Sequence, residues 1–573
     1  MIVSRLERIL QQHRHRILFA KAGLRAAVPW LLAGAVAAAL TSCGGGGGGG
    51  GGSSSSETVG GSIAGLLSGG LVLSNGSSTV SPPAGATSFT FATALASGTA
   101  YTISVQTQPA GLTCTVSNAS GTIGSSPVTN VAVVCPTPWV WQAGSTTAKA
   151  AGVYGSRGSA AAGNTPGARD GGATWADASG NLWLFGGYGY DSAGTLGYLS
   201  DFWEFTPSTG QWTWVSGSEL QGAVSNFGAL GVAAAANAPG ARQGAAAWKD
   251  AAGDFWLFGG YQSNSAIPAG FLSDLWKYSV STGLWTWVGG SESVNVPGVY
   301  GVQAVPAAGN LPGARAGSAT WTDPAGNLWL FGGSEYDSVA GNNNGLNDLW
   351  KYSPATNQWT WVGGSQSYGV DGVYGSIGEA AASTLPGARD GAVSWVDASG
   401  DLWLFGGIGY DSKSTTAEDL NDLWKYTPAT NEWTWESGSN VNSAVGVYGT
   451  LGTASGAAVP GARNGAVGWT DTSGNLWLIG GSGYDALGNG GALNDVWKFS
   501  PGSAQWTWVT GSSTQGSPGV YGTLGVSGAN SPGGRAGASA WADGLGHYWL
   551  FGGIGLDSVA TLADLDDLWE FTP

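Results

Sequence analysis

The stretch Gly387–Ser439, GARDGAVSWVDASGDLWLFGGIGYDSKSTTAEDLNDLWKYTPATNEWTWESGS, decides the fold, because it recurs along most of the chain. Its arginine returns as Arg169, Arg242, Arg315, Arg389, Arg463 and Arg535, at intervals of 73, 73, 74, 74 and 72 residues. A period of this size denotes a solenoid, a propeller or an array. Within the unit, four short aromatic runs (GAVSW, DLWLFGG, DLWKY and EWTWE) are divided by turn residues such as DASG and TPATN, which reads as four strands. Alternation puts Trp433 and Trp435 on one face of the last run. In DLWLF both faces are apolar, Leu402 and Leu404 on one and Trp403 and Phe405 on the other. Such a strand needs cover on both sides, and sheets stacked radially as blades supply it.

Tryptophans set the number of units and the closure. The first full unit carries Trp175, Trp183, Trp203, Trp212 and Trp214, and four more units repeat that set. The last stops at Pro573 with Trp541, Trp549 and Trp569, lacking its fourth run. That run stands at the other end, in PWVWQAGS, with Trp139 and Trp141. Of the chain's 31 tryptophans only Trp30 lies outside this scheme. Six blades follow, the strand near residue 140 completing the last and fastening the ring.

These residues resemble the kelch repeat: a Gly-Gly closing the second strand (Gly406, Gly407), then a Tyr and a Trp seven residues apart (Tyr426, Trp433). The resemblance covers Pro138–Pro573 and implies a six-bladed kelch-type β-propeller in an all-β chain. The units exceed the usual kelch length of about 50 residues. The excess is a segment marked GVYG, at Tyr154, Tyr300, Tyr374, Tyr448 and Tyr521, with Phe227 in the second unit.

The 102 glycines, sparse charges and many aromatics fit a turn-rich β protein. Residues 1–42 carry a net +5 and leave −21 for the remainder. A chain so acidic is a poor ligand for nucleic acid or an anionic membrane. The basic start, the apolar run Ala26–Leu40 and then Leu40-Thr41-Ser42-Cys43 look like a lipoprotein leader, with Cys43 lipidated. Fifteen apolar residues fall short of the roughly 20 that span a bilayer. Gly44 after the cysteine points to the outer membrane of a bacterial envelope, with the membrane reached through the lipid anchor alone. Residues 43–56, the cysteine with its Gly/Ser run, form a flexible tether of about 20 Å reach.

Residues 57–135 have another texture: TSFTFAT, AYTISVQT and VTNVAVVC alternate as strands between turn signals, which reads as a small β-sandwich. It resembles the Ig-like modules found beside propellers on bacterial surface proteins. Cys114 and Cys135, the only cysteines besides Cys43, are expected as a disulfide worth roughly 3 kcal/mol on a loop-entropy model.

Histidine limits the chemistry. His13 and His15 belong to the leader, so His547 alone remains for a Ser-His-Asp triad, and sites built from several His or Cys cannot be assembled. Galactose oxidase shares the kelch architecture, but its copper chemistry is excluded on this ground. No cofactor is expected. Two repeated polar groups are the candidates. The six arginines would lie near the mouth of the central channel, either free to bind an anion or paired with the recurring Asp201, Asp274, Asp348, Asp422, Asp495 and Asp567. The second group follows Gly-Gly: Tyr190-Asp191, Tyr336-Asp337, Tyr410-Asp411 and Tyr484-Asp485, with Asp557 keeping the acid alone. These residues suit a ligand's hydroxyls, a turn cap, or calcium together with Asn342, Asn343 and Asn344. A turn such as Asp177-x-x-Gly180-x-x-Trp183 is one residue longer than the Asp-box of sialidases and reads as a tight hairpin.

Connections after the second and fourth strands are long and share one face, where binding is expected. The expected protein is a monomeric, membrane-tethered scaffold that takes a protein or glycan there and is not an enzyme. The alternative is a carbohydrate-active lyase, hydrolase or sugar-acid epimerase using carboxylates and arginine on the same face.

Overall fold

The computed structural model describes residues 56–66, 69–83, 86–109, 112–135, 138–264, 268–337, 342–413 and 416–573. The leader, Cys43 and the Gly/Ser run to residue 55 lie outside them, as do the side chains of Asp337, Asn342 and Asn343. The described residues contain strands and turns and no helix. They fall into two compact units that divide near residue 136.

In the smaller unit two four-stranded sheets share one core. One sheet runs Ser88–Thr90, Val59–Ala64, Val128–Val134, Thr115–Ser117; the other runs Ser78–Val80, Val72–Asn75, Ala100–Thr107, Ser120–Thr122. Alternate residues of each strand turn inward, so Ile63, Leu73, Tyr101, Ile103, Val131 and Val133 meet Phe89 and Phe91. Cys114 and Cys135 join this core as a disulfide.

In the larger unit each repeat folds into one sheet, ordered as the chain runs. Blade one comprises Ala173–Ala176, Leu182–Tyr190, Leu196–Thr206 and Gln211–Ser216, and four more sheets follow the same plan. The sheet holding Ser539–Ala542, Tyr548–Phe551 and Leu568–Phe571 takes its outermost strand from Trp139–Ala143. That strand runs antiparallel, with Trp139 opposite Phe571 and Trp141 opposite Trp569. The two apolar faces of LWLF turn to opposite neighbours. Leu402 and Leu404 pack with Trp321, Trp329 and Phe331 of the preceding blade, while Trp403 and Phe405 pack with Leu476, Leu478 and Trp497 of the following one. Each buried Trp removes about 150–250 Å² from water, or about 4–6 kcal/mol at 25 cal/mol per Å².

First strands lie innermost and contact one another around the axis. A belt of backbone hydrogen bonds closes beside them. Gly244 donates to the Gly171 carbonyl, Gly317 to Gly244, Gly391 to Gly317, Gly465 to Gly391, Gly537 to Gly465, and Gly171 back to Gly537, each at 2.8–3.0 Å. All six glycines have φ between +59° and +72°, a conformation that costs other residues about 1–2 kcal/mol. The Gly-Gly pair has a similar cause. Gly407 has φ +94° and donates to the Arg463 carbonyl of the next blade. A Cβ there would stand 2.6 Å from the Asp390 carbonyl.

The GVYG segment departs from its reading as a long loop. It lies along the outermost strand of its own blade: Gly158 donates to the Trp214 carbonyl, Gly378 to Trp435, and Gly525 to Trp141. An outer strand carries unpaired backbone groups, and this segment covers part of that edge.

Candidate functional site

Each arginine is committed to its blade. Arg169 donates from Nη1 and Nη2 to the two oxygens of Asp201, both at 2.7 Å, and from Nε to the Gly167 carbonyl. The same bidentate pair forms at Arg242–Asp274, Arg315–Asp348, Arg389–Asp422, Arg463–Asp495 and Arg535–Asp567. All are buried, so the reading as free anion ligands is corrected: first-strand entry and third-strand start are adjacent in every blade, and the guanidinium fork fills with the acid there. The same Asp201 Oδ2 accepts from Trp203 Nε1 and from the Tyr154 hydroxyl, each at 2.7 Å. Tyr300, Tyr374, Tyr448 and Tyr521 repeat that contact. In blade two Phe227 lacks the hydroxyl, and Arg242 reaches Ser225 Oγ at 3.2 Å. Burial and the Asp201 carboxylate push the Tyr154 pKa far up, so its hydroxyl remains a donor.

The acids after Gly-Gly turn inward. Asp191 Oδ1 accepts from the Ala193 and Thr195 amides and Oδ2 from the Gln221 amide. Asp485 receives Leu487 and Asn489 in the same way, and Gln515; Asp557 receives Val559, Thr561 and Ala148. Asp411 receives Lys413 and Asn442. These are turn caps that also bind the second-to-third connection to the segment after the fourth strand. As ligands for a sugar or for calcium, Asp191, Asp411, Asp485 and Asp557 are corrected, since burial and N–H donors occupy their oxygens. Tyr190, Tyr336, Tyr410 and Tyr484 are half-buried beside them. Among the described residues no three His, Cys, Asp or Glu converge as a metal site. His547 Nδ1 lies 2.6 Å from Glu570 Oε1. The Asp177 turn is the tight hairpin read from its spacing: Asp177 Oδ1 accepts the Ser179 and Asn181 amides and Oδ2 the Trp183 indole.

Sixfold likeness fails in one layer. Between each arginine and its belt glycine stands one residue, and it heads a rung across the blade. The rungs read Asp170–Tyr188–Tyr198, Gln243–Tyr261–Phe271, Ala316–Ser334–Gly345, Asp390–Ile408–Asp419, Asn464–Ser482–Ala492 and Ala536–Ile554–Asp564. Blades one and two are aromatic here, with Tyr188, Tyr198, Tyr261 and Phe271 in successive ring contacts of 4.9, 5.7 and 5.2 Å. Outside the aromatic pair, carboxylates stand in blade four (Asp390, Asp419) and the last blade (Asp564), and polar side chains reach across blades. Gln243 Nε2 bonds Asp170 Oδ1, Ser334 Oγ bonds Asp390 Oδ2, and Asn464 Nδ2 donates to Asp419 Oδ1 at 2.6 Å. Glu335 adds a carboxylate 3.8 Å from Arg315. These positions were missed from the sequence; comparing the residue after each repeating arginine would have found the column.

On the other side of the belt the first strands enclose a cavity of about 350 Å³, lined by Thr174, Thr320, Ser394, Thr470, Lys249 and tryptophan edges. Its polar side chains are largely spent on the ring itself. Thr174 donates to the Ala540 carbonyl, Ser394 to Thr320, Thr470 to Val396, and Lys249 to Ala176.

Two comparisons bear on this architecture. A family model described as the KLHDC2/KLHL20/DRC7 Kelch-repeats domain matches residues 157–369. An N-acetylneuraminate epimerase from Salmonella arizonae is 41% identical over 63 residues, which is 11% of this chain and 15% of that protein.

Proposed function

We propose that this kelch-repeat protein is a binding scaffold that takes a protein or glycan on the long-loop face, at the unsymmetrical rungs around the axis. The observation that carries this reading is the break in repetition. Most positions that build the blades recur, whereas the layer next to the glycine belt holds a different residue set in each blade. A scaffold needs likeness; a site needs distinct groups at distinct places. Most rung side chains are buried, so half-buried Tyr188, Asp390 and Ile408 are the ones that would meet a ligand. An aromatic ring and a carboxylate at separate places suit one that pairs an apolar face with hydroxyl or amine donors.

The test is a glycan array and an affinity capture with the full chain, in parallel with Tyr188→Ala and Asp390→Ala, both at half-buried side chains. Both variants are expected to lose binding, while Val299→Ser on the rim keeps it. Binding unaffected by the rung variants would remove the site from this layer.

The second reading, a sugar-acid epimerase, is favoured by the short similarity to the N-acetylneuraminate epimerase and by acids that only some blades carry, Asp170 and Asp390 at one rung position and Asp419 and Asp564 at another. Turnover of N-acetylneuraminate anomers that Asp390→Asn abolishes would put this reading first.

Tethering through a lipid on Cys43, with the outer membrane as location, is part of the proposal. Incorporation of labelled fatty acid that Cys43→Ala abolishes is the expected result.

A further inference from the structure

In three blades the residue before the third-strand aspartate connects its blade to the next, whereas blades one and two carry Ser200 and Ser273 there and the buried Ser273 hydroxyl has no partner among the described residues. In blades three, four and five that residue is Asn347, Asn421 and Asn494. Each amide oxygen accepts from a backbone N–H after the fourth strand, at Ser365, Ser439 and Ser512, all at 3.0 Å. Each Nδ2 donates to a carbonyl at the entry of the following blade: Pro386 at 3.2 Å, Pro460 at 3.1 Å and Pro532 at 3.3 Å. The amide is thus an acceptor within one blade and a donor to the next.

In the last blade this position is Asp566, and the blade that follows is the first. Asp566 Oδ1 accepts the Ser145 amide at 3.1 Å, matching the serine contact of the other blades. The seam keeps the common register: Arg169 donates to the Leu565 carbonyl at 3.0 Å, as Arg315 does to Leu272 and Arg463 to Leu420. That shared register implies that Oδ2 takes the place of the asparagine Nδ2, on the side of the Pro166 carbonyl, which also accepts from Thr165 Oγ1 at 3.2 Å. An ionised carboxylate has no donor for it, whereas a protonated one has.

The geometry points to Asp566 as a proton-operated latch on the seam of the ring: protonated, it donates to the Pro166 carbonyl in place of an asparagine amide; ionised, it loses that bond and sets two acceptors face to face. The position is buried, with 2% of Asp566 exposed. Burial raises its pKa from the ordinary carboxylate range to about 7, the Ser145 amide opposing and the neighbouring Asp567 adding to the rise. Arg169, from the entry of blade one, favours ionisation, but both its terminal nitrogens are held by Asp201. The segment after the closing strand brings exposed Lys149, whose amide donates to the Asp564 carbonyl. Asp564 ends the strand two residues before Asp566, and Asp557 accepts the Ala148 amide nearby.

A group whose pKa is raised on folding stabilises most fully below its unfolded value, and that stabilisation fades as pH climbs through the folded one. The latch is therefore firm in acid and slackens above about pH 7. The test compares thermal midpoints of the full chain at pH 5, 6, 7 and 8 for wild type, Asp566→Asn and Asn421→Asp. The fall between pH 5 and 8 should shrink in Asp566→Asn, which should be the more stable at pH 8, and should grow in Asn421→Asp. Hydrogen exchange, corrected for intrinsic rates, should show the peptide Trp139–Ser145 losing protection over the same rise in wild type but not in Asp566→Asn. Parallel profiles for wild type and Asp566→Asn, or an Asp566→Asn protein weaker at pH 8, would overturn the latch. So would an Asn421→Asp protein with no added pH dependence.

Discussion

At the scale of residues, stability is concentrated on one aspartate per blade. Asp422 accepts from Arg389, Tyr374 and Trp424 at once. Asp422→Ala strands a buried guanidinium, and a loss of about 3–5 kcal/mol is expected in a denaturant titration. Tyr374→Phe removes one donor of several and should cost only about 1 kcal/mol. The second blade already lives with that change at Phe227. The arginine–aspartate pairs were legible because both partners recur in equal number. The turn-capping role of Asp191 and its relatives was legible too, from Asp at the start of a loop, although spacing records that a residue repeats and not which way it points. The rungs escaped because a position that holds Asp170, Gln243, Ala316, Asp390, Asn464 and Ala536 in turn has no constant residue to draw the eye, although it sits between two that do.

Strands and turns were the most legible elements. Aromatic runs bounded by Gly, Asp and Pro gave the four strands of each sheet, and LWLF announced that both of its faces would be covered. The GVYG segment was misjudged because irregular sequence was equated with a free loop. Its tyrosine hydroxyl and its backbone are both bound, to the third-strand aspartate and to the outer strand. Two glycines separate the causes of glycine use. Gly391→Ala meets nothing closer than 3.6 Å and should cost about 1–2 kcal/mol from its φ alone. Gly407→Ala adds a 2.6 Å contact with backbone, so its thermal midpoint should fall well below that of Gly391→Ala. In the smaller unit, the Cys114→Ala, Cys135→Ala double variant should lose roughly 3 kcal/mol.

For the whole molecule, closure is the feature from which the rest follows. The tryptophan tally in the sequence already paired the two ends. What it did not contain was the hydrogen-bonded belt of glycines, because a backbone ring leaves no trace in side-chain pattern. Deleting residues 138–145 should leave Leu568–Phe571 as a bare edge, and light scattering should report association of the shortened chain.

The pairing of Trp139–Ala143 with Leu568–Phe571 also orders events in time. A ribosome releases the first of these strands long before the second, and domains generally begin to fold while synthesis continues. The early strand must wait, unpartnered, through the making of every intervening sheet. Final assembly of the circle consequently waits until Leu568–Phe571 has been made, and chains stalled before it are left as open arcs with two sticky ends.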